Sequence, residues 1–404
     1  MQLLGILAFV VALLFSVMVH EFGHFITAKH YGMKVSEFFL GFGTKIWSTV
    51  RGETEFGIKA IPAGGYCRIE GMSPSETTIG DERDFYRASG ARKLIVLGAG
   101  SFLHFVLGFV LLLVIFIGIG TNQATSTIGE ISKCIAAATS SKPCTSTSPK
   151  TPAQLAGLQV GDRIVSINGK AITDWSKDVQ TIRNSPGKAL VFGIDRGQKV
   201  KGTGSDNPDL VITITPAARI VNGKPVGYIG VINRFATVRS NPVSAVKESV
   251  TLTGSLISGS VKSLISLPGK IPALWSQTVG DKPRDANGLM GVVGVARLSG
   301  EAVGSVKLTV SERFATFIMI IAQLNIFVGI FNLLPILPLD GGHMAVAIAD
   351  EIRAFFARLR GRRRPPAIDV AVLTPITMVV FVLLAGLTLL ILVADVVNPV
   401  NFNL

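Results

Sequence analysis

The chain has 404 residues, of which 48% are hydrophobic and only 16% are charged, and its mean hydropathy is +0.50. This composition excludes an ordinary soluble protein of that length and favours a membrane protein. The formal net charge of +13 does not by itself indicate a nucleic-acid partner, because the densest basic run, residues 358–364, adjoins an apolar segment and lacks interleaved aromatic residues. Membrane topology or contact with anionic lipid explains that run better.

Four apolar stretches predict membrane-spanning helices, at residues 3–19, 94–119, 315–337 and 374–393. Each approaches the roughly 20 apolar residues that cross a bilayer core. We interpret the first as a retained helix and not a cleaved leader, because it lacks a basic start and a small-residue cleavage pattern. Lysine and arginine concentrate between the first and second spans and between the third and fourth. The positive-inside rule therefore places both of these segments in the cytoplasm and both termini outside.

The pattern between the spans predicts further elements. Alternation within residues 41–71 indicates short strands punctuated by glycine. Outside the membrane, residues 163–167 alternate like a strand, and Asn168-Gly169 is a strong hairpin-turn signal. Apolar residues at helical spacing between 243 and 265 predict a helix that lies on the membrane surface or braces the external domain. Residues 148–172 resemble a bacterial-type PDZ domain, and such domains bind an extended peptide or adaptor at a sheet edge.

The predicted fold class is a multi-pass α-helical membrane protein with about four transmembrane helices, a membrane-associated β-hairpin region and an extracytoplasmic PDZ domain of β-rich α+β type. The predicted segments are the first span (1–29), a cytoplasmic, membrane-associated β region (30–93), the second span (94–120), the PDZ domain (121–236), a connector with an amphipathic helix (237–311), the third span (312–343), a basic cytoplasmic loop (344–372), the fourth span (373–396) and a tail (397–404).

The end of the first span carries the motif HExxH, as His20-Glu21-Phe22-Gly23-His24. Histidines four residues apart share one face of a helix and can hold one Zn2+, while the glutamate between them can take a proton from water at the metal. The pentapeptide alone also occurs without metal in soluble helices. Here it stands in an apolar span, where ionisable residues are costly and usually functional.

A catalytic zinc usually has a third protein ligand and one position left open. The third span ends in the sequence NLLPILPLDGG, residues 332–342, in which two prolines stop the helix and two glycines allow a tight turn beside Asp340. The first and third spans run in the same direction, so HExxH and Asp340 reach the same cytoplasmic leaflet. Asp340 is therefore the candidate third ligand.

Together, HEFGH in a first span, a GFG turn, an external PDZ module and NLLPILPLDGG in a third span resemble the site-2 protease family of intramembrane zinc metalloproteases. Within it, the layout is similar to the bacterial regulator-of-sigma-E type, in its actinobacterial form with one PDZ module. The resemblance implies a bacterial plasma-membrane enzyme that cleaves single-span membrane proteins such as anti-sigma factors. It further implies that another protease has cut the substrate first, and that the output is transcriptional control in a stress response.

The resemblance also implies the residues of the site. The zinc ligands would be His20, His24 and Asp340, with Glu21 as the catalytic base. The implied substrate-binding residues are Asn332, Gly41, Phe42, Gly43, Gly64 and Gly65. For Asn332, helix packing remains an alternative, because polar residues also join membrane helices. For the glycine-rich segments, the alternative is a merely structural hairpin.

The chain departs from the family in its second span, which has GAGS (98–101) followed by His104, where the family usually has Ala-Gly-Pro with a following Asn. His104 could be a packing residue, a substrate-gating contact or a fourth metal ligand. His343, after LDGG, is interpreted as a bystander. Cys134 and Cys144 fall outside the membrane, where oxidation is allowed, and we predict a disulfide between them, with two free thiols in a mobile loop as the alternative. Cys67 falls inside as a free thiol.

Two other functions compete with this interpretation. One is a membrane zincin of the prenyl-protein type, which takes a glutamate as third ligand from a downstream helix, where this sequence offers LDGG. The other is a non-enzymatic metal-binding PDZ scaffold or transporter. Such a protein needs metal ligands but no base beside them, so Glu21 favours the protease.

Overall fold

The computed structural model describes residues 1–76, 81–135, 148–197, 208–221, 223–280, 284 and 288–400. The chain divides into two compact units, one formed by Met1–Gly120 with Arg239–Leu404 and the other by Thr121–Val238. The α-helices of the described residues are α1 (Gln2–His30), α2 (Gly90–Leu113), α3 (Pro152–Leu155), α4 (Trp175–Arg183), α5 (Pro242–Val279), α6 (Val292–Gly304), α7 (Val310–Asn332), α8 (Asp340–Leu359) and α9 (Thr374–Val397).

In chain order the strands are β1 (Val35–Arg51), β2 (Thr54–Ile69), β3 (Thr121–Ile131), β4 (Arg163–Ile167), β5 (Lys170–Ala171), β6 (Leu190–Asp195), β7 (Leu210–Ile214), β8 (Ala217–Val221), β9 (Lys224–Tyr228) and β10 (Val231–Val238). A π-helix at Val114–Ile119 extends α2, and a 3-10 helix at Val370–Leu373 precedes α9.

Five helices in the described part of the chain are long and apolar enough to cross a membrane. Four of them, α1, α2, α7 and α9, coincide with the predicted spans. The fifth is α5, which lies in the predicted connector; its mean hydropathy of 1.2 is below the 2.2–3.0 of the other four. The helix expected in this region is therefore present, and its length of 38 residues exceeds what the sequence predicted. The expectation of a multi-pass membrane protein is confirmed.

In the first unit, α2 contacts four other helices, α1, α5, α7 and α8. Small residues allow the closest approach. A Cβ added to Gly23 in α1 would lie 2.7 Å from the carbonyl oxygen of Ala99 in α2. On the other side of α2, a Cβ on Gly108 would lie 2.8 Å from Ile326 in α7. This is the packing expected in membranes, where small side chains let helix backbones approach each other.

Strands β1 and β2 pair antiparallel as one long hairpin, where the sequence predicted short strands and turns. The tip of the hairpin is fastened to the end of α1. Glu53 accepts a hydrogen bond from Arg83 at 2.6 Å and one from Lys29 at 2.5 Å. The hydrogen bonds from these two cations lower the pKa of Glu53 to about 2, so this fastening persists throughout the neutral pH range.

The second unit contains an antiparallel sheet with the strand order β10-β3-β4-β6-β7, in which β5 pairs with β4. Ile128, Ile164 and Phe192 are fully buried in its core, and Trp175 of α4 joins the same cluster. The predicted strand at 163–167 is confirmed as β4. The predicted turn is confirmed as well, because Asn168 and Gly169 both have positive φ angles, of 50° and 78°, which a hairpin turn of this kind requires.

The described cysteines differ in oxidation state. Cys134 is buried and disulfide-bonded, whereas Cys67 in β2 is a free thiol. Cys144, the predicted partner of Cys134, lies outside the described residues. A bridge of this kind restricts the unfolded chain and stabilises the fold.

Candidate metal centre and catalytic cleft

The HExxH motif lies within α1, and its two histidines point towards α2. His20 and His24 are each only 7% exposed. Nδ1 of His24 donates a hydrogen bond to the backbone carbonyl of Val96 in α2, at 2.8 Å. A carbonyl oxygen can only accept, so Nδ1 carries the proton and Nε2 of the neutral ring keeps a free lone pair. This is the way in which metal-binding histidines are usually oriented.

Asp340 begins α8, after an irregular segment that separates it from α7. The two following glycines let α8 start against the end of α7. A Cβ on Gly341 would lie 2.3 Å from the carbonyl oxygen of Leu333, and one on Gly342 would lie 2.5 Å from the backbone nitrogen of Leu337. The LDGG sequence therefore folds as a tight reversal that directs the Asp340 carboxylate towards α1.

The three predicted ligand atoms converge. Oδ2 of Asp340 lies 3.1 Å from Nε2 of His20 and 3.4 Å from Nε2 of His24. The two imidazole nitrogens are 3.1 Å apart. Ligands at tetrahedral zinc distances would be separated by about 3.3 Å. The three edges of this triangle thus match the spacing that one zinc ion needs.

The donor chemistry fits a cation as well. In the described part of the chain, the buried Oδ2 of Asp340 accepts no hydrogen bond that meets normal geometry, and its neighbours are the Nε2 atoms of His20 and His24. A buried carboxylate oxygen without a partner is costly unless a cation compensates it. This set of His20, His24 and Asp340 is the one group of three or more metal-ligating side chains that converges among the described residues. His104 does not belong to it.

Glu21 lies beside this cluster in a cleft of about 420 Å3. The cleft is also lined by Asp340, Arg68, Glu70 and His343, and it contains both apolar and polar surface. The backbone N–H of Cys67 in β2 donates a hydrogen bond to the Glu21 carboxylate. Burial raises the pKa of the Cys67 thiol to about 12, so the thiol stays protonated at neutral pH. Cys67 therefore contacts Glu21 through its backbone N–H and not through a thiolate.

The predicted substrate-binding residues fall into two groups. Asn332, the last residue of α7, places Nδ2 at 3.4 Å from Nε2 of His20. Gly65 of β2 is also at the site, since a Cβ there would lie 3.5 Å from Cγ of Glu21. The other predicted residues contact the hairpin itself: Gly41 and Gly43 pack on Ile61, and Gly64 packs on Phe42.

The sequence singled out His104 but missed its partners. His104 is 2% exposed, its ring centroid is 4.9 Å from that of His20, and its Nδ1 is 2.8 Å from Oδ1 of Asn325 in α7. Nδ2 of Asn325 donates to Ser16 of α1 at 3.1 Å. This network connects three candidate spans. Polar residues inside two apolar stretches were the available signal for it.

We expect His104→Asn to keep stoichiometric zinc and most of the activity, because an amide can still pair with Asn325. His104→Leu should impair stability or cleavage moderately, since it removes a buried hydrogen bond worth about 1 kcal/mol. Zinc content per chain, measured for both variants, checks this. Loss of zinc in His104→Asn would instead make His104 a metal ligand.

The close approach of α2 predicts a second effect. A Cβ on Gly100 would lie 2.6 Å from Cε1 of His20 and 2.6 Å from Nε2 of His24. We therefore expect Gly100→Ala to displace the imidazoles and to weaken zinc binding by about 10- to 100-fold, as loss of support around a metal ligand does. Gly98→Ala is the matched control, because its Cβ would meet only Met344 at 3.8 Å. Equal zinc affinity in both variants would contradict the prediction.

Comparison with known proteins agrees with this geometry. The model of Peptidase family M50 matches residues 8–376. Zinc metalloprotease Rip1 of Mycolicibacterium smegmatis is 34% identical over 414 residues, which cover 98% of this chain and 98% of the relative. Rip1 of Mycobacterium tuberculosis is 34% identical over 411 residues, with the same coverage.

A more distant relative, the regulator of sigma-E protease RseP of Salmonella typhimurium, is 27% identical over 438 residues, which cover 86% of this chain and 90% of the relative. The region that the family model matches, residues 8–376, contains both HExxH and LDGG, the motifs on which the predicted resemblance rested. That resemblance is confirmed, and the chain belongs to peptidase family M50, the site-2 protease family.

Proposed function

We propose that this protein is an intramembrane zinc metalloprotease that cleaves the membrane-embedded segment of single-span regulators such as anti-sigma factors. The observation that carries the proposal is the convergence of two buried histidines and an aspartate beside a glutamate, within a bundle of apolar helices. Membership of peptidase family M50 and the zinc metalloproteases among its relatives support the same conclusion. A transporter would need no base beside its ligands, so Glu21 favours the enzyme over a metal-binding scaffold.

The residues that would hold Zn2+ are His20, His24 and Asp340. When bound, Zn2+ lowers the pKa of a water molecule and polarises the scissile carbonyl. Glu21 accepts the proton of the attacking water and passes it to the leaving amine, so that one carboxylate serves both halves of the hydrolysis. Asn332, whose Nδ2 lies 3.4 Å from Nε2 of His20, would donate a hydrogen bond to the carbonyl oxygen as that atom gains negative charge.

The substrate must present an extended segment, because a transmembrane helix satisfies its amides internally and hides them from attack. We propose that the β1–β2 hairpin receives this segment by strand addition. Gly65 supports the idea, since its backbone packs closely beside Glu21, where an added Cβ would lie 3.5 Å from Cγ of that residue. The residues of the GFG turn would then act farther along the same hairpin.

Four spans, with both termini outside, are the topology that fits the site best. HExxH lies in the C-terminal half of α1, and Asp340 follows the C-terminal end of α7, so α1 and α7 must cross in the same direction. This requires one net crossing between them, which α2 supplies. If α5 also crossed, α7 would run the opposite way and Asp340 would reach the wrong leaflet. We therefore propose that α5 lies outside as part of the connector.

The second unit is proposed to be the extracytoplasmic PDZ module that binds a peptide or adaptor. Its antiparallel sheet and two helices, together with the loop and hairpin at residues 148–172, support this. A module of this kind would exclude substrates whose external domain is intact. The enzyme would then act only after another protease has cut.

The test compares membrane-protein fragments in cells that express the wild-type chain or Glu21→Ala. We expect one or a few single-span proteins to accumulate as intact or externally trimmed forms with Glu21→Ala and to lose their membrane segment with the wild type. Identical fragment patterns in both strains, with both proteins present at equal amounts, would overturn the proposed function.

A further inference from the structure

Helix α8 has one face that the protein leaves uncovered. At about 100° per residue, five exposed apolar side chains fall within an arc of roughly 100°. These residues are Ile348, Ile352, Phe355, Phe356 and Leu359, with exposed fractions of 44–67%. Ala347 and Ala354, which are 5% and 1% exposed, lie on the opposite side and face the protein. The helix is therefore amphipathic, with its apolar face directed outwards.

Arginines border this apolar face and continue past the end of the helix. Arg358, Arg360, Arg362 and Arg363 are exposed. The neighbouring Arg364 instead pairs with Glu351 at 2.7 Å. Four cations at one end of an exposed apolar stripe form a surface that matches phosphate groups above a hydrocarbon layer.

The position of α8 in the chain says where this surface lies. The helix follows α7 and precedes α9, and both of these are candidate spans. It therefore runs along the membrane face at which α7 ends and α9 begins. Glu351 fixes it there, since its carboxylate accepts a hydrogen bond from the backbone nitrogen of Gly90, the first residue of α2, at 3.1 Å.

We propose that α8 lies in the membrane interface and that the four exposed arginines at its C-terminal end bind the headgroups of anionic phospholipids. The inference that this is the cytoplasmic leaflet rests on the topology proposed above. The apolar stripe enters the acyl boundary, and the arginine side chains extend to the phosphates beside it. Because Asp340 is the first residue of α8, the same contact braces the helix that carries the proposed third metal ligand.

The test measures which lipid lies next to α8 in the full chain. A single cysteine replaces Phe356 in a Cys67→Ala background and carries an environment-sensitive fluorophore. The protein is reconstituted into vesicles of phosphatidylcholine with about one third phosphatidylglycerol. Nitroxide quenchers are attached in turn to either lipid at equal mole fraction. We expect both to quench, with phosphatidylglycerol at least about fivefold enriched, the factor that one arginine near an anionic surface supplies.

Matched variants separate charge from insertion. Replacing Arg358, Arg360, Arg362 and Arg363 by glutamine should bring the enrichment close to one, and high salt should lower it in the wild type. Replacing four exposed lysines of the second unit by glutamine changes the net charge equally and should leave the enrichment intact. These lysines are Lys150, Lys170, Lys188 and Lys224. A label at Lys188→Cys should escape quenching.

Equal quenching by both lipids would overturn the recognition of anionic headgroups. Absence of quenching at Phe356→Cys and also at Ile352→Cys would show that something other than lipid covers this face, such as a second copy of the chain, and would overturn the proposal entirely. The readout does not depend on proteolysis, so it can be repeated with Glu21→Gln. Failure of this inference is thereby distinguishable from failure of the proposed function.

Discussion

Purified Glu21→Gln should bind zinc at one ion per chain and yet cleave a transmembrane substrate about 10²- to 10⁴-fold more slowly than the wild type, the range that a general base contributes. The substitution keeps the size of the side chain and its ability to pair with the backbone of β2, but removes the proton acceptor. Zinc content by atomic spectroscopy and cleavage of a reconstituted single-span peptide measure the two quantities independently.

The matched control is Glu70→Gln, because Glu70 lines the same cleft but does not belong to the HExxH motif. We expect near-normal turnover in this variant. If Glu21→Gln kept full turnover while retaining zinc, the glutamate of HExxH would not be the base and the proposed mechanism would fail at its first proton transfer.

Asp340→Ala is expected to lose both zinc and activity. The aspartate supplies the one carboxylate of the ligand triangle, and its removal leaves two imidazoles that cannot hold the ion as firmly. We expect zinc affinity to fall by more than about 100-fold, which is the upper range for groups that only support a ligand. Competition with a chromophoric chelator, carried out in detergent at constant pH, measures the affinity.

His343→Ala serves as the comparison for Asp340→Ala, because His343 belongs to the first turn of the same helix and also lines the cleft. It should retain zinc. The reverse result, with zinc lost in His343→Ala and kept in Asp340→Ala, would assign the third ligand to the histidine and remove Asp340 from the metal centre.

Much of the architecture could be predicted because it depends on local sequence patterns. Apolar runs predicted α1, α2, α7 and α9, alternation predicted β4, and the Asn168-Gly169 pair predicted its turn. The convergence of His20 with Asp340 was also within reach, since both motifs lie at the same end of parallel spans. Each of these inferences depends on the period of a short segment or on the direction of a helix.

The parts that the sequence did not predict depend on contacts between distant segments. Asn325 acquires its role only because α7 brings it to His104 and Ser16. The 344–372 segment was expected to be a basic loop, yet its first part forms α8, whose Glu351 meets the start of α2. No local pattern predicts the contact of Asn325 with His104 or that of Glu351 with α2. The apolar residues of α8 do recur at helical spacing in the sequence.

The partner of His24 on α2 is a main-chain carbonyl, and this determines what a mutational scan of α2 can reveal. No side-chain substitution at Val96 deletes that acceptor, so other apolar residues of similar volume should preserve the tautomer of His24. What α2 must provide instead is a close approach of its backbone to α1. Gly23 of α1 and Gly100 of α2 permit that approach. Tolerance at position 96 of α2, beside intolerance at position 100 of α2 and position 23 of α1, would thus show that the spacing between the two helices matters, although α2 contributes none of the three ligands.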